Sequence, residues 1–332
     1  MPATSDTSDY QIRPSCAPLS SYAGAVTERL MLLDTASLYF RAFFGVPDKV
    51  KAPDGSSVNA TRGLLDIIAK LVTLYQPSQL IACWDDDWRP QWRVDLIPSY
   101  KAHRVVEEIA ASPDVEEVPD ALQQQIPLIR EALGALGIPI IGVAEHEADD
   151  VIGTLATHAA MPVDIVTGDR DLFQLVDDSR DVRVIYTARG MSNLEIITDE
   201  TVVAKYGVLP SQYADFATMR GDASDGLPGV KGVGEKTAAT LLRAHGDLTG
   251  IRAAAAEGLL SATAAARFSE ASGYLDVAPT VVEVATDLDI AAPGTPLGDL
   301  TAADRDAAEA LAERWNLGTS MSRALSALAS AD

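Results

Sequence analysis

The chain has 332 residues, 47% of them apolar and 22% charged, enough for two or three folded units with a sizeable core. Its formal net charge is −22, which by itself argues against a nucleic-acid partner, because neutralising phosphate draws on Lys and Arg. Its two cysteines, Cys16 and Cys83, give no disulfide framework or zinc spacing; no apolar run reaches membrane-spanning length, and the first residues lack the basic and apolar parts of a secretory signal.

Residues 1–28 are polar and read as a disordered tail. Leu30 to Leu33 is an unbroken apolar run, as in a strand buried on both faces, and it ends in Asp34. The following A-S-L-Y-F-R-A-F-F is helical in pattern, so Asp34 stands at the carboxyl end of a strand, where parallel α/β sheets place their chemistry. Asn59 can cap a helix over Ala60–Tyr75, with Leu64, Ile67, Ile68, Leu71 and Val72 on one face. Leu80 to Trp84 is a second strand, again ending in an acid, Asp85. From Trp88 to Arg104 the character changes. Arg89, Arg93, Lys101 and Arg104 oppose a single acid, Asp95, and Trp88, Trp92 and Tyr100 are interleaved with them. Cations that track phosphates beside rings that stack on bases suit single-stranded nucleic acid. The next residues, to Asp120, are acidic, hold two prolines and read as mobile.

A helix is expected from Pro119 or Asp120 to Leu136, then a third strand over Ile138–Val143 and a fourth over Val163–Val166. Glu147, Asp149 and Asp150 follow the third strand; Asp169 and Asp171 follow the fourth. Glu147 fits just before a helix, with Asp149 and Asp150 in its first turn, where the dipole favours acids. Like charges this dense repel and resist dehydration, and divalent cations neutralise them; all-oxygen ligands suit Mg²⁺ or Mn²⁺ rather than zinc. Val182–Tyr186 and Leu194–Ile197 read as a hairpin. Asp222 and Asp225 lie in R-G-D-A-S-D-G-L-P-G-V-K-G-V-G-E-K-T, where Gly229, Gly232 and Gly234 make a tight turn before a helix and can turn backbone N–H groups toward phosphate. Lys231, Lys236 and Arg243 there oppose only Glu235. The rest reads as Ala-rich helix, a strand-like Pro279–Ala285, and helix from Ala302 to the end. Alternating strands and helices to residue 218 indicate an α/β domain with a largely parallel sheet, followed by a mainly helical region over 219–332.

Four segments resemble the bacterial 5′ nuclease family of flap endonucleases and the 5′→3′ exonuclease domain of DNA polymerase I. They are L-L-D-T-A-S-L-Y-F-R-A-F-F, W-R-…-Y-K-A-H-R, E-A-D-D with T-G-D-R-D-L-F-Q-L, and the glycine-rich segment, in the family's order. The resemblance implies a PIN-like fold with a helical arch at about 88–120 and a C-terminal helix-three-turn-helix. It assigns Asp34, Asp85, Glu147, Asp149 and Asp150 to a first metal cluster and Asp169, Asp171, Asp222 and Asp225 to a second. It makes Lys101 and Arg104 catalytic, and puts Arg41, Arg93, Tyr100, Gly229, Lys231, Gly232, Gly234 and Lys236 on DNA. It implies Mg²⁺ or Mn²⁺, often with K⁺ at the glycine turn. The implied substrate is DNA with 5′ flaps or 5′ ends, RNA/DNA primers included, cut by a monomer in the cytoplasm at the nucleoid, with no membrane. Asp86 is an alternative to Asp85 because W-D-D-D-W is one residue longer than the usual pattern, and Gly226 stands where Asn is common. Two other readings are an RNA-directed nuclease of the PIN type and a non-catalytic binder of DNA junctions. Any one of these acids alone could simply cap a helix.

Overall fold

Every residue of the first strand, β1 (Leu30–Asp34), is buried, and its side chains alternate between two cores. Met31 and Leu33 enter one cluster, Leu30 and Leu32 the other, as the two-residue period of a strand dictates. The computed structural model describes residues 28–107, 114–291, 293–294, 296–298 and 300–330. The expected N-terminal tail therefore lies outside the described residues, apart from Glu28.

β2 (Gln79–Cys83) pairs in parallel with β1, so Asp34 and Cys83 are partners and Asp85 emerges beside Asp34. β3 (Val105–Glu107) and β4 (Val115–Glu116) form a separate antiparallel ribbon. β5 (Ile140–Ile141), β6 (Val163–Thr167) and β7 (Val182–Tyr186) extend the main sheet in parallel, and β8 (Glu195–Ile197) closes it antiparallel to β7. The order is β5-β2-β1-β6-β7-β8, a six-stranded, mostly parallel sheet.

Helices α1 (Thr35–Gly45) and α2 (Asn59–Tyr75) cover one face. α3 (Gln91–Leu96) and α4 (Asp120–Gln123) are short, and α5 (Ile126–Ala135) joins α2. α6 (Ala148–His158), α7 (Asp199–Tyr206), α8 (Tyr213–Arg220), α9 (Glu235–His245), α10 (Leu248–Ala256) and α11 (Ala262–Glu270) share the opposite core. α12 (Ser272–Leu275) and α13 (Ala278–Val282) follow. α14 (Ala302–Trp315) and α15 (Gly318–Ala329) then return to the first core, against α2 and α5. The region after residue 218 thus feeds both cores, with its last two helices on the nuclease side of the sheet.

Several expectations are corrected. The third strand shrinks to Ile140–Ile141 between Pro139, which has no N–H to give a ladder, and Gly142, over which the Asp86 carboxylate packs. The helix expected over 120–136 breaks, and α5 restarts with Pro127 in its first turn. The break frees Gln125, whose Oε1 accepts from the N–H of Ala60 (2.9 Å) and Thr61 (3.2 Å). Gln125 therefore covers the start of α2, while the Asn59 amide donates to Phe43 and Val46 carbonyls instead of capping. The strand-like Pro279–Ala285 is α13 over Ala278–Val282, with Pro279 in its first turn. Where a helical arch was expected, the described residues carry α3, a 3₁₀ turn at Ala102–Arg104 and the β3–β4 ribbon; 108–113 lie outside them.

Candidate active site

The carboxyl ends of β1, β2 and β6 and the start of α6 point to one place. Asp34 ends β1 and caps α1: Oδ1 accepts from Ser37 N–H at 3.1 Å, and Oδ2 from the Thr167 hydroxyl at 2.6 Å. Asp85 follows β2 and accepts from Ala148 N–H at 2.7 Å. Glu147 precedes α6, with Asp149 in its first turn. Asp169 leaves β6, and Asp171 opens a 3₁₀ turn over Asp171–Leu175. Asp34, Asp85, Glu147, Asp149 and Asp169 line one cavity of about 260 Å³, with Lys101, Arg104 and Glu116. A narrower cavity that shares Lys101, Glu147 and Asp149 brings in Asp171 and Asp225. Asp85, not Asp86, lines the cavity; Asp86 is exposed.

The electrostatics are those of acids without enough counter-charge. Burial, with Asp85 and Asp169 nearby, pushes Asp34 from 3.8 up to about 7. Burial also lifts Asp85 to about 6, against the Ala148 hydrogen bond. Asp149 is driven well above the carboxylate range by burial and then by Asp34 and Asp169; Asp171 is driven up by burial and by Asp169 and Asp225. Asp225 rises through burial, against the pull of Lys101. Among the described residues no three His, Cys, Asp or Glu side chains close on one point as a finished ligand shell. The donors line a cavity rather than a cage.

Asp150 is not among them. Its Oδ1 accepts from Arg93 Nη2 (2.7 Å) and Ala285 N–H (2.9 Å), and its Oδ2 from Arg93 Nη1 (2.8 Å) and Glu147 N–H (3.2 Å). Both oxygens are spent, and the side chain is fully buried. These bonds outweigh burial and hold Asp150 below the usual range. The expected role as metal ligand is therefore corrected to that of an anchor for Arg93. Asp222 lines neither cavity. Although burial opposes it, hydrogen bonds from Ser224 and the charges of Arg220 and Arg170 hold its carboxyl low.

The cations expected on DNA are similarly redirected. Arg93 is 3% exposed, forked onto Asp150 and reaching Glu147 at 3.1 Å. The Tyr100 hydroxyl donates to Glu147 at 2.6 Å, and its ring is buried. Neither Arg93 nor Tyr100 faces outward, because each is needed to satisfy a buried acid. Lys101 pairs with Glu147, and Arg104 with Asp225 at 3.0 Å; these two border the acid cavity and stay within reach of its contents. Trp88 and Trp92 donate their indole N–H groups to the carbonyls of Asp114 and Glu145. Lys101 N–H donates to Asp225 O at 3.0 Å. A Cβ on Gly226, at φ +70°, would sit 2.0 Å from Ser99 O, which explains glycine there.

The glycine turn divides its labour. Gly229 has φ +65°, and a Cβ on it would meet Gly221 N at 2.5 Å, so it serves close backbone packing. Gly232 is exposed with φ +75°. Gly234 has ordinary φ and caps α9, correcting its expected place in a left-handed turn. Lys231 and Lys236 are exposed and make no ion pair among the described residues. Arg41 lines a groove of about 770 Å³ beside α1 and α2, which shares Ser37 and Phe40 with the acid cavity. Its Nε is buried with no hydrogen-bond partner among the described residues.

The sequence reading missed Thr167, Ser37 and Glu116. Thr167 was visible inside T-G-D-R-D, next to the acids, and its hydroxyl fixes Asp34. The Ser37 hydroxyl accepts from Gly168 N–H at 3.0 Å and ties α1 to the loop carrying Asp169. Glu116, raised by burial, reaches the cavity from a stretch whose composition signalled only mobility.

A family model described as "5'-3' exonuclease, N-terminal resolvase-like domain" matches residues 29–207, and "5'-3' exonuclease, C-terminal SAM fold" matches residues 208–306. The chain is 59% identical over 302 residues to a 5'-3' exonuclease of Streptomyces coelicolor, covering 90% of this chain and 99% of that protein. It is 49% identical over 315 residues to a 5'-3' exonuclease of Mycobacterium tuberculosis, covering 90% and 97%. Among solved structures, T5 5'-exonuclease with bound divalent metal ions (zinc) matches with a TM-score of 0.60 at 19% identity, over 77% of this chain and 89% of that one. At that identity the likeness speaks to the fold.

Proposed function

The chain belongs to the 5'-3' exonuclease family, and from that premise we propose that it hydrolyses DNA phosphodiesters near junctions of a 5′ single strand with duplex, as a flap endonuclease and 5′→3′ exonuclease in replication and repair. One observation carries the reading. Acids from β1, β2, α6 and the loop after β6 gather on one cavity, and Lys101 and Arg104 border the same space.

The residues fit divalent metal. The donors are oxygen only, which suits a hard cation, and Asp34, Asp85, Asp149 and Asp171 are all short of positive charge. Asp34, Asp85, Glu147 and Asp149 would hold one ion; Asp169, Asp171 and Asp225, with Asp222 turned from Arg220, would hold another. Mg²⁺ or Mn²⁺ bound there would supply activated water and neutralise charge in an in-line displacement. The chain's own side chains do the rest. Asp34 is kept in place by Thr167 and Ser37, so the acid at the end of β1 cannot swing away. Lys101 and Arg104 would turn from Glu147 and Asp225 to the scissile phosphate once those acids are otherwise neutralised. Arg93 stays with Asp150 and holds the start of α6 in position. Lys231, Lys236 and the bare backbone at Gly232 would grip duplex. Arg41, beside the groove that opens from the cavity, would meet a phosphate near the cut. No helix of the described residues is long and apolar enough to cross a membrane, which agrees with a monomer working on DNA in the cytoplasm.

A labelled 5′-flap duplex incubated with the chain tests this. Cleavage near the junction in Mg²⁺ or Mn²⁺, and none in EDTA, supports the reading. Cleavage of RNA flaps alone would favour the RNA-directed alternative, and binding with no cleavage under any divalent metal would leave only a junction binder.

A further inference from the structure

The glycine turn receives a side chain from outside its own motif. Arg267 projects from α11, and its Nη1 donates to the Gly232 carbonyl at 3.1 Å. A Cβ added to Gly232 would stand 2.8 Å from Arg267 Cζ and 3.0 Å from both terminal nitrogens. The guanidinium therefore lies flat on the bare backbone of the turn, a place that any side chain at 232 would take from it. Among the described residues Arg267 pairs with no carboxylate, and its Nε and Nη2 meet no acceptor, so most of its donors are free beside an exposed turn. In a chain of net charge −22, a cation held in place without an acid points toward an external anion.

The same contact bears on the K⁺ ion expected at this turn. A carbonyl-bound ion needs free oxygens, and Gly232 O is taken by Arg267. Val230 O accepts from Val233 N–H at 2.9 Å, and Gly234 O accepts from Thr237 and Ala238 at 3.0 Å. We propose that Arg267 is a DNA-backbone contact that supplies, from the chain itself, the positive charge a K⁺ ion would bring to the glycine turn. This rests on the reading that the turn faces duplex.

The test measures binding of the full chain to a labelled duplex with a 5′ overhang, in EDTA so that no cleavage intervenes, in KCl and in NaCl of equal ionic strength. The unaltered protein should bind equally in both salts, within about twofold. Arg267→Ala should weaken binding about 5- to 20-fold and lower the slope of log K against log salt by about one. Arg267→Lys should recover most of the slope. A severalfold preference for K⁺ over Na⁺ in the unaltered protein overturns the proposal, as does Arg267→Ala with unchanged affinity and slope. If Arg267→Ala does not fold, the salt comparison on the unaltered protein decides alone. An unaltered protein that binds no duplex overturns the nuclease reading as well.

Discussion

Arg93, Tyr100, Lys101 and Arg104 stand with their donors on Glu147, Asp150 and Asp225, whereas Lys231, Lys236 and Arg267 stand at the glycine turn with no acid opposite. Both groups looked alike in the sequence: clusters of basic residues in an acidic chain. The structure separates them by burial. At the acid cavity a cation first answers a dehydrated carboxylate, and only Lys101 and Arg104 keep a second use. At the turn the cations are solvated and wait for a partner in solution. The bulk charge of −22 is thus concentrated where it is needed, and it does not forbid a nucleic-acid surface elsewhere.

Removing the acids is the strongest way to break this contrast. Asp34→Asn and Asp149→Asn should each lower the single-turnover cleavage rate by about 10³-fold or more, with flap affinity within about threefold. A variant that still cuts at near-normal rate would mean that the cavity is not the site. Arg93→Ala comes next, because it strands Asp150 and Glu147 as unpaired buried charges. It should cost about 3–5 kcal/mol of stability, read by denaturant unfolding. An unchanged midpoint would show that Arg93 is no anchor. Lys101→Ala should reduce turnover about 100-fold while leaving Kd within about threefold; equal losses in both would make it a binding residue only. Lys236→Ala should be the mildest. Stability should stay within about 0.5 kcal/mol and cleavage at saturating DNA unchanged, while Kd weakens severalfold and the salt slope falls by about one. A large loss of stability there would erase the difference between the two regions.

Much of the fold was legible because periodicity and burial agree. Leu30–Leu33 and Leu80–Trp84 read as strands because both faces are covered, and each delivers an acid at its carboxyl end. Asp34, Asp85, Glu147, Asp149 and Asp169 could be named as one group from their places after strands. Two kinds of fact were not legible. The first is which way a polar side chain turns: Asp150 is next to Asp149 in sequence, yet its oxygens are consumed by Arg93, which comes from 57 residues away. Tyr100 likewise looked like a stacking platform and is a donor to a buried acid. The second is what a distant element supplies. Gln125 covers the start of α2 in place of Asn59, Glu116 enters the cavity from an unpatterned stretch, and Arg267 lies on Gly232 from 35 residues away. No local pattern encodes such pairings. Proline misled in both directions: Pro139 trimmed a strand, and Pro279 started a helix within a run that read as extended.

The acid cavity also sets how stability responds to pH. Because folding raises Asp34 to about 7 and Asp85 to about 6, the metal-free fold binds protons that the unfolded chain has released. The contribution of these groups is complete below about pH 4 and is lost as pH rises through 6 and 7. The most direct measurement is therefore the melting temperature at pH 7.5 of the unaltered chain and of Asp149→Asn, each with EDTA and with Mg²⁺ or Mn²⁺. If the cavity stores repulsion that a divalent cation relieves, Asp149→Asn should melt about 2–4 °C above the unaltered chain in EDTA, and only the unaltered chain should gain stability from the metal. Equal melting of the two in EDTA, together with an equal gain from metal, would contradict it.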